Sequence, residues 1–376
     1  MIANLRRAAI VAIVASGALT SSAWAVEQTA GPPASPRFGA WGFDLSGRDI
    51  TVSPGADFYQ YANGAYVKAL VIPPAWQDVW ICPDPSGHIQ AIGTDAAGRR
   101  QYLYHPQWRA ERDQRKYDRM LEFGAALPGI RDTVRKQLAG RGLRRERVLA
   151  AAVRLIDLGF FRNGSEEYAA ENGTFGLATI RREHVRCGRD ELTFEYLAKG
   201  SIQREQAVAD ELSCAVVRSL KRRRWGGPEL LAYRGTGPGA APGGHDVTAA
   251  DINEYLREIS GGDFTAKDFR TWNATVLAAV GLAVSEPAGE AERTRQRAIV
   301  RVVQEVAGYL GNTPAVARAS YIDPRVIERY EHGVTINSVL GELGASSEFG
   351  ELATEGRPEA AVLRLLRSAP MPTATA

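Results

Sequence analysis

The chain has 376 residues, 45% of them hydrophobic and 24% charged, with 46 basic against 43 acidic side chains and a net charge of +3. This is globular composition, with length for two domains and a sizeable core, and a charge too balanced to announce a nucleic-acid binder by itself. Cys82, Cys187 and Cys214 are odd in number and lack C-x-x-C spacing, which argues against a disulfide framework or structural zinc site and for reduced thiols.

Arg6 and Arg7 precede an apolar run from Ala8 to Leu19, followed by Ala23-Trp24-Ala25. These are the parts of a secretory signal peptide over residues 1–25, and the run is too short for a transmembrane helix. Residues 26–40 are rich in Gly and Pro and read as a linker. The stretch Trp41 to Gly64, with Asp44-Leu-Ser-Gly47 and Pro54-Gly-Ala-Asp-Phe-Tyr-Gln-Tyr-Ala-Asn-Gly64, resembles the start of secreted neprilysin-like zinc metallopeptidases. Ala56 stands where that pattern has an acid, and the likeness ends near Lys68, so residues 26–67 read as linker and metallopeptidase-like remnant. The chemistry of those peptidases needs an H-E-x-x-H, whose histidines bind zinc while the Glu activates water. None of His88, His105, His184, His245 and His332 begins or ends one, which excludes peptidase activity.

From Lys68 the character changes to short strands. Val71 to Pro83 carries aromatic and aliphatic residues behind Pro73-Pro74, as a strand after a turn does. Asp84 to Gly87 is a turn, His88 to Gly93 a returning strand, Asp95 to Gly98 a second turn, and Arg99 to Tyr104 a third strand. Arg100, Tyr102 and Tyr104 then share one face; interleaved cations and rings suit phosphates and bases, although any strand with one polar face looks the same. Beyond Pro106 the apolar spacing is helical over Trp108 to Leu127, Ile130 to Leu138 and Arg145 to Leu158. A helix end is expected near Asn163-Gly164, with Arg162 just before it, and Lys199 falls at the tip of a β-hairpin. The run Lys221-Arg-Arg-Arg-Trp225 reads as a solvated or phosphate-touching face, and Tyr233 to Asp246 as a flexible Gly/Pro-rich loop. Residues 336–376 carry no motif; Pro358 to Ser368 reads as a final helix and Pro370 to Ala376 as a disordered tail.

Near the C-terminal end lies Gly311-Asn-Thr-Pro-Ala-Val-Ala-Arg-Ala-Ser-Tyr321. By itself Tyr321 reads as a packed core tyrosine with its hydroxyl satisfied, more than as a nucleophile. The motifs before it change that. Arg162-Asn-Gly164, Tyr168, Asn172 and Gly176-Leu-Ala-Thr179 match R-x-G-x-x-x-Y-x-x-x-N-x-(S/T)-x-G-L-x-T of the compact bacterial and poxvirus type IB DNA topoisomerases. Ile72-Pro-Pro-Ala-Trp76, Gly93 to Tyr102, Tyr104-His-Pro-Gln-Trp108, Asp251 to Ile259, Phe264 to Trp272 and Leu310 to Val316 also resemble the bacterial members, in the same order, over residues 68–335.

This resemblance implies an α+β fold. A small β-rich cap that clamps DNA would span residues 68–108, and a mainly α-helical catalytic domain with a small β-hairpin or sheet residues 109–335. Arg162 matches the first family arginine, Arg270 the second, and Tyr321 the nucleophile, nine residues after Asn312. Lys199 matches the lysine of F-x-F-x-G-K-S-G-K, where Ala198 replaces Gly and Ile202 replaces the second lysine; Asn312 takes the position that is His in the poxvirus members. A tyrosine hydroxyl, with an ordinary pKa of about 10, needs cations on its target and an acid on the leaving oxygen. The implied roles follow: Tyr321 forms a 3′-phosphotyrosyl bond, Arg162, Arg270 and Asn312 bind the phosphate oxygens, and Lys199 protonates the 5′ oxygen. Arg99, Arg100, Gln101, Tyr102, Tyr104 and Lys267 would touch DNA. The same likeness implies double-stranded DNA as partner, no cofactor and no metal, no stable membrane association, a monomer, and a cytoplasmic (nucleoid) location that the leader contradicts by predicting export. A tyrosine recombinase, with a similar residue set, and an exported silent protein behind a peptidase leader are the competing readings. The leader also displaces the segment that opens a bacterial topoisomerase. The cap would then lack an edge strand and clamp DNA less firmly, unless Asp57 to Val67 supplies that strand.

Overall fold

The computed structural model describes residues 47–235, 244–285, 292–343 and 352–368. The signal peptide, the linker over residues 26–40 and the tail from Pro370 lie outside them, as do residues 236–243 of the Gly/Pro-rich loop. The chain divides into two units that part at Lys116 and Tyr117, inside one helix.

In the first unit, helix α1 (Phe58–Ala69) begins at Asp57, whose carboxylate accepts from the Gln60 N–H at 2.9 Å. This segment is therefore a helix and not a substitute edge strand: Asp57 caps its first turn, and no β-branched residue precedes Val67. Strands β1 (Gln77–Ile81), β2 (Ile89–Thr94) and β3 (Arg100–Tyr104) form an antiparallel sheet in the order β1-β2-β3, with Trp80 opposite Ile92 and Ile92 opposite Tyr102. Ala91 on the central strand is fully buried, and Trp80 and Tyr102 are exposed.

Helix α2 (Pro106–Leu138) is continuous through Pro128, where two separate runs were expected. The proline removes one ladder hydrogen bond, but Phe123, Leu127, Ile130 and Val134 form a buried face on both sides of it and hold the helix together.

The second unit continues with α3 (Arg145–Gly159), α4 (Glu166–Asn172), β4 (Val185–Cys187), β5 (Glu191–Ala198), β6 (Ile202–Ala209), α5 (Glu211–Arg222), β7 (Ala232–Tyr233), β8 (His245–Asp246), α6 (Ala249–Ser260), α7 (Ala266–Ser285), α8 (Glu292–Leu310), α9 (Pro314–Ser320), α10 (Pro324–Glu331) and α11 (Arg357–Arg367). β4, β5 and β6 make a second antiparallel sheet, and β7 pairs with β8. Helices α3 and α7 are buried along most of their length, as their apolar composition dictates. Phe123 packs edge-on against Phe264 and Phe269, with ring centroids 5.4 and 4.8 Å apart.

A buried charge network ties α11 to this core. Arg131 pairs with Asp157 at 2.7 Å and with Glu359 at 2.7 Å, and the Trp272 indole N–H donates to Glu359 at 3.1 Å. In the basic run, Arg223 is buried and donates to the carbonyls of Leu220 and Leu230 at 3.2 and 2.7 Å, so it is structural; Arg222 and Arg224 are exposed. Among the described residues no helix is long and apolar enough to cross a membrane.

Candidate active site

Helix α3 stops earlier than expected, at Gly159, because Phe160 adopts a left-handed conformation (φ 53°) and its amide closes the last turn on Ile156. Arg162 consequently lies in the loop beyond α3. That loop is stitched down: the Arg162 carbonyl accepts from Leu177 and the Asn163 carbonyl from Ala178, both at 2.8 Å. Gly164 (φ 87°) and Gly176 pass backbone against backbone; a Cβ on Gly176 would come 2.5 Å from the Gly164 Cα. The glycines of the Arg162 motif are thus required by a close crossing that fixes the arginine's base.

Arg270 projects from α7 and is only 4% exposed. Its guanidinium donates to the Phe160 carbonyl and, at 2.9 Å, to the Leu310 carbonyl. Arg162 donates to the Gly311 carbonyl at 2.8 Å and to the Asn312 side-chain oxygen. A third arginine, Arg204 on β6, donates to the Tyr309 carbonyl at 2.6 Å. Three guanidinium groups therefore sit on three consecutive carbonyls at the C-terminal end of α8, the negative pole of that helix. None of the three has a carboxylate ion-pair partner among the described residues.

Tyr321 follows α9, partly buried, with the Arg270 guanidinium 5.2 Å from its ring centroid. Its backbone lies against α7: the Thr275 hydroxyl accepts from the Asp323 N–H at 3.1 Å and shares its one proton between the Thr271 and Tyr321 carbonyls, at 2.8 and 3.2 Å. Burial works to raise the hydroxyl's pKa, but the charge and donor groups of Arg270, then Lys267 and Arg162, outweigh it and leave it below its ordinary value. Arg270 shows the reciprocal effect. Burial pushes its pKa down to about 10, with Arg162 and Arg204 adding to the fall and Tyr321 opposing it.

Two buried donors in the group have no hydrogen-bond partner, Arg270 Nε and Asn312 Nδ2. The Asn312 amide is oriented by Arg162: its oxygen takes the arginine proton, so its NH2 group faces the other way as a free donor. A set of cations with unspent N–H groups and no acid matches an anion with several acceptor oxygens.

Of the residues singled out from sequence, Arg162, Arg270, Asn312 and Tyr321 come together, and Lys267 is close enough to bias Tyr321. Lys199 stands exposed in the turn between β5 and β6. Arg99, Arg100, Gln101, Tyr102 and Tyr104 lie in the other unit. There Asp95 organises the turn, pairing with Arg99 at 2.8 Å and accepting from Gln101 at 2.8 Å. Tyr104 stacks on Trp108 at 4.7 Å, and Arg112 lies 5.1 Å from the Trp108 ring centroid. Arg204 and Thr275 were not singled out from sequence. The signal for Arg204 was an arginine at an alternate position of β6, opposite Tyr196, on the face shared with buried Val208.

Comparison with known proteins identifies the class. A family model described as the catalytic core of eukaryotic DNA topoisomerase I matches residues 105–339. A model of the N-terminal domain of bacterial DNA topoisomerase IB matches residues 55–95, beginning ahead of Lys68. The chain is 27% identical over 269 residues to the DNA topoisomerase 1B of Acanthamoeba polyphaga mimivirus, covering 71% of this chain and 79% of that one. It is 20% identical over 240 residues to the DNA topoisomerase 1B of Vaccinia virus (strain Copenhagen), covering 63% and 71%. The chain belongs to the DNA topoisomerase I catalytic-core family and is a type IB DNA topoisomerase, an enzyme whose substrate is DNA. The recombinase and silent-protein readings are not favoured by these matches.

Proposed function

We propose that this enzyme relaxes supercoiled DNA by cleaving one strand through Tyr321 and resealing it without ATP. The observation that carries the reading is the group beside Tyr321: cations without a carboxylate, and two buried donors, Arg270 Nε and Asn312 Nδ2, without a partner.

The Tyr321 oxygen attacks the phosphorus as the bond to the 5′ oxygen breaks. The product is a 3′-phosphotyrosyl link and a 5′ hydroxyl that has taken its proton from Lys199. Arg162 and Arg270 neutralise the non-bridging oxygens, and the Asn312 NH2 group donates to the same oxygens. The lowered Tyr321 pKa eases loss of its own proton, which passes to solvent water. Attack of the 5′ hydroxyl on the phosphotyrosine reverses each step, and between the two steps the cut strand swivels. The bond energy stays in the covalent link, which is why no nucleotide is consumed.

Arg99, Arg100, Gln101, Tyr102, Tyr104 and Lys267 hold the duplex through its backbone and exposed rings, with weak sequence preference and strong salt dependence. The enzyme works as a monomer on DNA in the nucleoid. The metallopeptidase-like leader ahead of residue 55, where the match to the bacterial topoisomerase IB N-terminal domain begins, takes no part in the chemistry. Fractionation of cells tests this placement: intact chain found only outside the cytoplasm refutes it.

The direct test is relaxation of a supercoiled plasmid without ATP or magnesium. Wild type relaxes it, and Tyr321→Phe forms neither relaxed product nor covalent adduct. Relaxation by Tyr321→Phe would remove Tyr321 from the role.

A further inference from the structure

Arg204 belongs to the same cluster as Arg162 and Arg270, yet it stands on a different element, the β6 arm of the hairpin whose turn carries Lys199. Its guanidinium reaches across to the end of α8 and donates to the Tyr309 carbonyl at 2.6 Å. It also lies against Gly311: a Cβ built there would come 2.2 Å from Arg204 Nη1, so a larger residue would push the guanidinium aside. Gly311 (φ 61°) is the residue whose carbonyl Arg162 grips and which leads into Asn312. On its own sheet Arg204 faces Tyr196 in register, and Tyr196 stacks on Phe161 at 6.1 Å, next to Arg162.

We propose that Arg204 is a positioning residue that locks the Lys199 hairpin onto the α8 end, so that acid and nucleophile are held against one phosphate. The proposal rests on the reading of Lys199 as the acid. The β5–β6 hairpin is tied on one arm, where the Phe175 N–H donates to the Leu197 carbonyl at 2.7 Å and Ala198 is buried, and Arg204 ties the other arm to the end of α8. A guanidinium is suited to this, because its rigid planar fork is pre-organised and loses little freedom for each hydrogen bond it makes. Displacing a reacting group by 1 Å costs on the order of 100-fold in rate.

The experiment compares two DNA substrates in single-turnover cleavage, one with the normal 5′ bridging oxygen and one with sulfur there. A thiolate leaves without a proton donor, because a thiol ionises near pH 8.5, far below an alcohol. Arg204→Ala is expected to cleave the oxygen substrate about 100-fold more slowly than wild type and to regain most of that loss on the sulfur substrate. Arg204→Lys, which keeps one donor for Tyr309, is expected to fall between Arg204→Ala and wild type with the same recovery on sulfur. It also supplies the reading if Arg204→Ala fails to fold. Equal losses on both substrates, or no loss on either, overturn the proposal. Lys199→Ala is run alongside. If it recovers on sulfur and the Arg204 variants do not, only the positioning role falls; if Lys199→Ala itself gains nothing from sulfur, the acid assignment falls first.

Discussion

Replacing Arg270 by lysine should give this enzyme a pH limit that the wild type lacks. Burial already holds the Arg270 guanidinium down to about 10 from its ordinary 12.5. An ammonium starts near 10.4 and is more strongly hydrated. The same site should therefore bring it to about pH 8 or below. A lysine also lacks the fork that serves Phe160 and Leu310 together. One of those carbonyls then loses its partner, at a cost of about 1–3 kcal/mol. The expected rate of single-turnover cleavage is about 10–100-fold below wild type at pH 7. Above pH 8 it should fall by a further factor of about ten per pH unit as the ammonium loses its proton. Wild type keeps nearly all of its charge to about pH 9, and ionisation of Tyr321 works in the favourable direction as pH rises. The assay is formation of the covalent adduct on a short duplex at excess enzyme from pH 6.5 to about 9.5. A lysine variant whose profile runs parallel to wild type refutes the idea that burial of this cation governs the site.

Two further substitutions test how the reacting groups are held. Thr275→Val removes the hydroxyl between the Tyr321 carbonyl and the Asp323 N–H and leaves that buried N–H unpaired. It should slow adduct formation about tenfold while DNA affinity by anisotropy stays unchanged; weakened affinity at an unchanged rate would contradict the assignment. Glu359→Ala strips Arg131 of one of its two close carboxylates, leaving Asp157 and the more distant Glu355 at 3.9 Å, and leaves the Trp272 N–H without an acceptor, which should cost about 3–5 kcal/mol in urea unfolding. Glu359→Gln keeps an acceptor and should lose much less. Burial raises the Glu359 pKa, with Arg131 opposing. Its protonated form thus adds stability that is fully present below pH 4.5 and is lost as pH rises through the folded-state value. The advantage of wild type over Glu359→Gln should shrink as pH rises above 4.5; an advantage that grows would reverse the sign of this coupling.

The sequence by itself determined the class of the protein and the order of the groups proposed to react. Arg162, Arg270 and Tyr321 stand in motifs whose spacing is legible because local backbone needs, such as Gly164 after Arg162, leave their mark on neighbouring residues. The β5–β6 hairpin was legible from its turn at Lys199-Gly200, which requires a positive φ at Gly200 (83°). Helix limits were less legible. The end of α3 at Phe160 and the continuity of α2 through Pro128 are set by packing across the unit, which overrides local propensity. The edge-strand alternative for Asp57 to Val67 was decided against by a single capping carboxylate. What only the tertiary structure decided is how the cations rest: Arg204, Arg270 and Arg162 on the carbonyls of Tyr309, Leu310 and Gly311. The physical reason is that every residue offers a carbonyl, so a side chain that binds backbone across the fold imposes no residue type on its partner and leaves no pattern to read. Gly311 is the exception: its left-handed backbone (φ 61°) favours glycine, and Arg204 Nη1 stands 2.2 Å from where a Cβ would be.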